Sequence, residues 1–431
     1  MRPTLLLAIA ILLTPFSVAS AQESEFLSTD KRGQDFEALC GFVSEHYAYF
    51  DIKATDWGRT CKHYLVEAQV ATDMATYVRV LERTLGQLYD PHAHLAINTR
   101  SSPRLVPSQA DVMATWLDDK ALVTDLRQGS AAERSGLRVG DEIEAINNMP
   151  VAKAAAEFEP AFLFFRDKAA RDWALQVALA GRHDGAQISL EIKSSSGLRK
   201  VAYAPSFVKQ EELLAATKTG LIGYIRIHNS LGDQSLVREF DSALDSVSDA
   251  QALIIDLRDT PSGGNSGVAR GILGRLVDKE LPYQRHELVG EFRNTGIRRV
   301  WTENVAPRGT VFRGPVVVLV GRWTGSMGEG LAIGLNATRE APVLGRPMAQ
   351  LLGALGEFTL SHSKIVVRIP VEKLFHVDGR PRESFMPCTA EGRASLSVDE
   401  DRWLTTAFDL ARSLVQRKSN SSLEPTAFGG C

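Results

Sequence analysis

The 431-residue chain predicts a multidomain α+β protein with a helical N-terminal module, a β-rich middle module and a layered α/β C-terminal core. Three observations carry this. Between residues 36 and 87 the apolar positions fall at helical spacing, as in Phe36, Leu39, Phe42 and Val43 and again in Tyr77, Val80, Leu81 and Leu85. Lys120-Ala121-Leu122-Val123-Thr124-Asp125-Leu126 and Ala186-Gln187-Ile188-Ser189-Leu190-Glu191-Ile192 then read as strands. From about residue 206 to 418, strands alternate with helical stretches, which is the signature of stacked α and β layers.

The N-terminus precedes all three modules. Met1-Arg2-Pro3, the apolar run 4–13 and the Ala-x-Ala ending at Ala21 predict a secretory signal peptide cut after Ala21. The apolar run is too short to span a bilayer, and no later segment is long and apolar enough for a membrane helix. The mature chain is therefore expected to be exported and soluble, with the periplasm as the favoured location. A formal net charge of -3 with intermixed signs gives no basic stripe, so nucleic acid is not an expected partner. Cys40, Cys61, Cys388 and Cys431 form an even set, for which we expect the disulfides Cys40–Cys61 and Cys388–Cys431. They lack the short paired spacing of zinc ribbons, and no metal site or cofactor is expected.

Ser101-Ser102-Pro103-Arg104 breaks the helical pattern and opens the middle module at residue 104, which runs to 205. Residues 151–180 are more helical than a compact β-domain needs and read as an insertion. Its Phe158, Phe162, Phe164 and Phe165 are expected on the packing face of a helix. The core, 206–417, ends in a polar tail from 418 to 431.

The chemistry concentrates in the core. Val316-Val317-Val318-Leu319-Val320 reads as a buried strand and Gly330-Leu331-Ala332-Ile333-Gly334-Leu335 as one face of a helix, so Ser326 stands at a strand-to-helix turn. There the unpaired N–H groups and the positive end of the helix dipole favour a developing oxyanion. A serine at that position can equally be a plain helix cap.

Three further segments match, in order, the pattern of the tail-specific (carboxyl-terminal processing) serine protease family. Gly129-Ser130-Ala131-Ala132-Glu133-Arg134-Ser135-Gly136-Leu137-Arg138-Val139-Gly140-Asp141-Glu142-Ile143 resembles the second half of a PDZ domain. Ile222-Gly223-Tyr224-Ile225-Arg226-Ile227 and Ala252 to Gly264 resemble the family's two strands leading to a glycine turn. The resemblance spans residues 88–387. It implies a multidomain α+β chain with an N-terminal helical module, a PDZ-like β-rich module with helical insertion, and a layered α/β protease core.

The resemblance also implies the site. The family's processing branch uses a lysine where this chain has Leu351, which makes a Ser-Lys dyad doubtful, and Lys364 is expected on a strand surface. The tricorn-like branch pairs its serine with an N-terminal histidine and a later glutamate. Asp90-Pro91-His92-Ala93-His94 places His92 as base, with His94 the rival, and Glu383 as the group that orients it. The oxyanion donors implied are the N–H of Met327 and one from Gly263 or Gly264. Asp256 and Arg258 are expected to be structural links, and Glu329 to take no part in proton transfer. Met113 and Trp116 would line a PDZ-like groove that adds a polypeptide tail as a strand, although no glycine-containing carboxylate loop precedes them. The function implied is an exported serine endopeptidase. The alternatives are a catalytically silent binding or scaffold protein of the same fold and a small-ester or amide hydrolase.

Overall fold

The computed structural model describes residues 26–194, 197–205, 211–388 and 400–419. The expected signal peptide, the tail beyond 419 and Cys431 lie outside the described residues, and with Cys431 the second expected disulfide. About the first module the expectation of helices holds. α1 (Thr29–His46), α2 (Trp57–Val70) and α3 (Met74–Gly86) each start on a side-chain cap, Ser28, Asp56 and Asp73, which accepts a first-turn N–H. Cys40 and Cys61 are bonded and staple α1 to α2. The three helices bury their apolar faces on one another and on the strand β1 (His94–Leu95) that leaves α3.

The middle module is a six-stranded sheet built from β2 (Val112–Leu117), β3 (Lys120–Leu126), β4 (Glu142–Ile146), β5 (Met149–Pro150), β6 (Ile188–Ser194) and β7 (Gly197–Tyr203). α4 (Ala131–Arg134), α5 (Val151–Ala156) and α6 (Lys168–Ala180) accompany it. α6 lies along β2, an edge of the sheet. The aromatic insertion departs from expectation. Phe158 and Phe162 pack into cores, whereas Phe164 and Phe165 are 72% and 66% exposed. Pro160 interrupts the helical pattern between α5 and α6, so these rings sit on a loop and helical spacing does not govern them.

The core holds two sheets. One, in the order β14-β13-β10-β9-β8, comprises β8 (Leu214–Thr219), β9 (Ile222–Ile227), β10 (Ala252–Asp256), β13 (Val316–Val320) and β14 (Val343–Gly345). Four of its strands, β9, β10, β13 and β14, run parallel, and the edge strand β8 is antiparallel to β9. α7 (Leu236–Ser246), α8 (Ser266–Leu273) and α10 (Met327–Arg339) cover one face. α11 (Glu400–Ser419) covers the other. Every residue of β10 and β13 is buried, as expected of parallel strands covered on both faces. The second sheet joins β11 (Leu281–Leu288), β12 (Arg299–Val305), β15 (Ala354–Thr359) and β16 (Val366–Phe375) to β1, with α9 (Val289–Thr295) linking β11 and β12. The antiparallel pairing of β1 with β16 ties the segment after α3, and hence His92, to the core. Lys364 is not on a strand: it sits in the turn before β16 with φ 60°. Among the described residues no helix is long and apolar enough to cross a membrane.

Candidate active site

Ser326 sits between the buried strand β13 and α10, at the carboxyl end of a parallel sheet, where open α/β folds place their ligands. Its backbone is at φ 51°, ψ -112°, not the extended conformation of an ordinary N-cap. A non-glycine residue persists there only if its surroundings hold it. They do. Its N–H donates to Glu329 Oε2 at 2.9 Å, while its carbonyl accepts from Arg382 Nη1 at 3.2 Å and from the Gly330 N–H at 3.1 Å.

Glu329 and Arg382 form a buried clamp behind the serine. The Glu329 side chain is wholly buried and also accepts the N–H groups of Gln350 (2.9 Å) and Leu351 (3.1 Å). Burial pushes its carboxyl up to about 7, against the opposing pull of Arg382 3.9 Å away and of the three N–H donors. Arg382 Nη2 donates to the carbonyls of Leu351 (2.7 Å) and Gly353 (3.2 Å). Residues 350–353 are thereby fixed to the serine turn from both sides. Leu351 itself is buried and serves through its main chain.

The same segment holds the histidine. His92 is 7% exposed, and its Nδ1 lies 2.7 Å from the Leu352 carbonyl. A carbonyl can only accept, so Nδ1 carries the proton and Nε2 keeps the lone pair that a base requires. Burial drives the His92 pKa down to about 3, with Arg382 and His94 adding to the effect. The turn that presents it is fixed by Asp90, which accepts the His92 N–H (2.9 Å) and the Tyr47 hydroxyl (2.8 Å). His94 is turned to the His92 carbonyl, 3.0 Å from its Nδ1. No hydrogen bond joins Ser326 Oγ to His92 among the described residues; both are bound to the 350–353 segment and its clamp.

Glu383 is not the group at His92 Nδ1, because the Leu352 carbonyl occupies that position. Glu383 lies in a short 3-10 turn at residues 382–384. Its Oε2 is buried without a hydrogen-bond partner among the described residues, and burial raises its carboxyl pKa. Sequence reasoning passed over its neighbour Arg382. An arginine in a polar Gly-Arg-Pro-Arg stretch carries no local sign that it will be the largest fully buried side chain of the described structure.

The glycine turn faces the serine. Gly263 has φ 63°, and a Cβ there would lie 2.4 Å from Ser326 Cβ and 2.8 Å from the Met327 nitrogen. Its own N–H is spent on the Thr260 carbonyl (3.1 Å), so of the two glycines Gly264 is the better donor candidate. Among the described residues nothing takes up the N–H of Gly264 or Met327. We expect Gly263→Ala to reduce turnover at least a hundredfold and to destabilise the fold by about 1–3 kcal/mol through strain and overpacking. Steady-state kinetics with a denaturant titration checks both. Asp256 and Arg258 are the structural links expected, a buried pair at 2.6 Å that also receives the Tyr224 hydroxyl.

The middle module is bolted to this turn. Arg127 Nη2 meets Asp259 at 2.9 Å with both side chains nearly buried, and Trp323 Nε1 donates to the Ala110 carbonyl at 2.9 Å. The groove expected at Met113 and Trp116 is closed. Both side chains are buried in cores, and α6 takes up the polar groups of β2: the Trp116 N–H donates to Asp172 (2.8 Å) and Gln176 Nε2 donates to the Ala114 carbonyl (3.4 Å). Strand addition needs those edge groups free.

Comparisons with known proteins agree with this architecture. Residues 221–384 match the model described as peptidase family S41, and residues 104–163 match the PDZ domain. Mature CPAF superposes with a TM-score of 0.61 at 16% identity, covering 92% of this chain and 99% of that one. The photosystem II D1 C-terminal processing protease gives 0.56 at 16% identity, covering 89% and 97%. A putative peptidase from Parabacteroides merdae ATCC 43184 gives 0.53 at 14%, covering 91% and 99%. At such identities the likeness to these structures is one of fold. No curated protein matches the chain. The two domain matches and the superposed folds support a tail-specific S41 peptidase core joined to a PDZ domain, with a strained serine at a strand-to-helix turn of that core.

Proposed function

We propose that the chain is an exported serine endopeptidase in which Ser326 attacks the substrate carbonyl and His92 Nε2 takes its proton. The observation that carries this reading is the conformation of Ser326, held at positive φ by Glu329 and Arg382 on its two backbone groups. The Glu329 bond to the Ser326 N–H is one that a capping box also makes, whereas a plain helix cap needs neither the positive φ nor an arginine on its carbonyl. The resulting oxyanion would be met by the N–H groups of Met327 and Gly264, and His92 would return the proton to the leaving amine and then activate water for deacylation. Leu352 takes the orienting role that Glu383 was expected to fill. Glu329 supports the serine turn and takes no part in proton transfer. The closed edge of β2 argues against capture of tails by strand addition at that edge, so polypeptide recognition is assigned to other surfaces. Export rests on the N-terminal pattern and agrees with the Cys40–Cys61 disulfide.

The test is mass-spectrometric detection of new termini when purified Gln22–Cys431 meets unfolded proteins, with Ser326→Ala as control. Cleavage lost in the variant is the expected outcome. No Ser326-dependent cleavage over a broad panel would shift the reading to a protease-fold binding protein.

A further inference from the structure

The glycine turn that faces Ser326 is held from outside by the segment that follows β9. Asn229, which is half-buried, spends both atoms of its amide on one residue: Oδ1 accepts the Ser262 N–H at 2.8 Å and Nδ2 donates to Ser262 Oγ at 2.8 Å. A backbone N–H can only donate, so the orientation of the amide is fixed. Further along the segment, the Leu231 carbonyl accepts the Asn265 N–H at 3.2 Å. That carbonyl also presses on Gly264, where a Cβ would lie 2.0 Å from its oxygen. The segment has anchors of its own: Leu231 is fully buried, and Ser230 Oγ donates to the Leu213 carbonyl at 2.7 Å.

Between these two pins lies a Gly-Gly peptide. Glycine takes up positive and negative φ with similar ease, so the sequence itself does little to fix which way that peptide faces. Its orientation bears on the serine, because a Cβ on Gly263 would come within 2.9 Å of Ser326 Oγ, and Gly264 beside it is exposed. The Leu231 pin lies after the glycines. Asn229 supplies the pin before them, alongside the Thr260 carbonyl that takes up the Gly263 N–H. Ser262 is exposed, so water can replace both bonds to Asn229 and little stability depends on them. The orientation of the turn does depend on them.

We propose that Asn229 is a positioning residue for the oxyanion: through Ser262 it holds the Gly263–Gly264 peptide in the orientation that leaves the Gly264 N–H open to the carbonyl attacked by Ser326. The inference rests on the reading of Ser326 as the nucleophile and of Gly264 as an oxyanion donor.

Two readouts on Gln22–Cys431 test it, one of the turn and one of the chemistry. Glycine labelled with 13C at its carbonyl and with 15N singles out N–H groups that follow a glycine, namely those of Gly264 and Gly430, and Gly429→Ala removes the second. Asn229→Leu keeps the branched shape and loses both bonds. In that variant the Gly264 resonance is expected to shift or broaden and the rate at which a fluorophosphonate modifies Ser326 to fall at least tenfold, with the thermal midpoint moved by no more than about 2 °C. Losing an oxyanion donor outright costs about a hundredfold or more, and a turn that samples other orientations forfeits part of that. Asn229→Asp, whose carboxylate can accept both the Ser262 N–H and its hydroxyl proton, is expected to restore the resonance. An unchanged Gly264 resonance in Asn229→Leu, a changed one with an unchanged rate, or a rate lost only through unfolding would overturn the proposal. Absence of any Ser326 adduct in the native chain, with the resonance still dependent on Asn229, would instead count against the catalytic reading alone.

Discussion

Replacing Arg382 with methionine is expected to cut kcat/KM by roughly a thousandfold and to lower stability by about 3–5 kcal/mol, the usual result of leaving a buried partner charge uncompensated. The guanidinium is 1% exposed and donates to the carbonyls of Ser326, Leu351 and Gly353. Methionine fills similar volume but leaves those acceptors unpaired and Glu329 without its counter-charge. Catalysis is expected to suffer more than folding, because Ser326 relaxes from positive φ once its carbonyl is released. Arg382→Lys, which keeps the charge and loses the fork, should recover stability ahead of activity. Equilibrium unfolding and kinetics on the same preparations separate the two effects. A variant that loses stability but retains full turnover would show that the clamp does not position the serine.

The second large effect is on pH. The folded-state pKa of His92 is depressed to about 3 by burial, against about 6.5 in an unfolded chain. Its contribution to stability is therefore complete above pH 6.5 and is lost progressively as pH falls towards 3, since only the unfolded state takes up the proton in that window. The slope from this one group approaches about 1.4 kcal/mol per pH unit, so the loss across the window reaches several kcal/mol. His92→Gln should flatten the acid limb of stability while abolishing turnover. The same depression keeps the base neutral in mild acid. The free-enzyme kcat/KM profile should consequently show no fall with a pKa near 6.5, unlike an enzyme with an ordinary histidine base. Thermal midpoints between pH 3 and 8, for both proteins, provide the check.

How much of this was legible in the sequence depends on whether a local pattern encodes it. Val316–Val320 and Lys120–Leu126 form strands over the residues that β-branched runs and alternation mark out. The turn that carries Ser326 followed from strand and helix meeting across glycines. The clamp did not. Arg382 reaches Ser326 across 56 residues of sequence and Glu329 reaches Gln350 across 21, and neither contact leaves a periodic trace. The orienting acceptor at His92 is the main-chain carbonyl of Leu352, which no side-chain motif can announce. Glu383 was placed by resemblance, and a carboxylate one residue from a buried arginine resembles a partner until the arginine's own bonds are known. The closed β2 edge was hidden for a similar reason. No local pattern marks Asp172 and Gln176 as partners of a strand, and only the packing of α6 along β2 brings their side chains onto its backbone groups.

Whether Ser326 is a nucleophile activated through His92 is measured most directly by incubating Gln22–Cys431 with a fluorophosphonate, followed by peptide mapping, in the native protein and in His92→Ala. A single stoichiometric adduct is expected on Ser326, forming at least a hundredfold more slowly without His92. An adduct that forms at the same rate in both proteins, or none on Ser326 in the folded native chain, would contradict it.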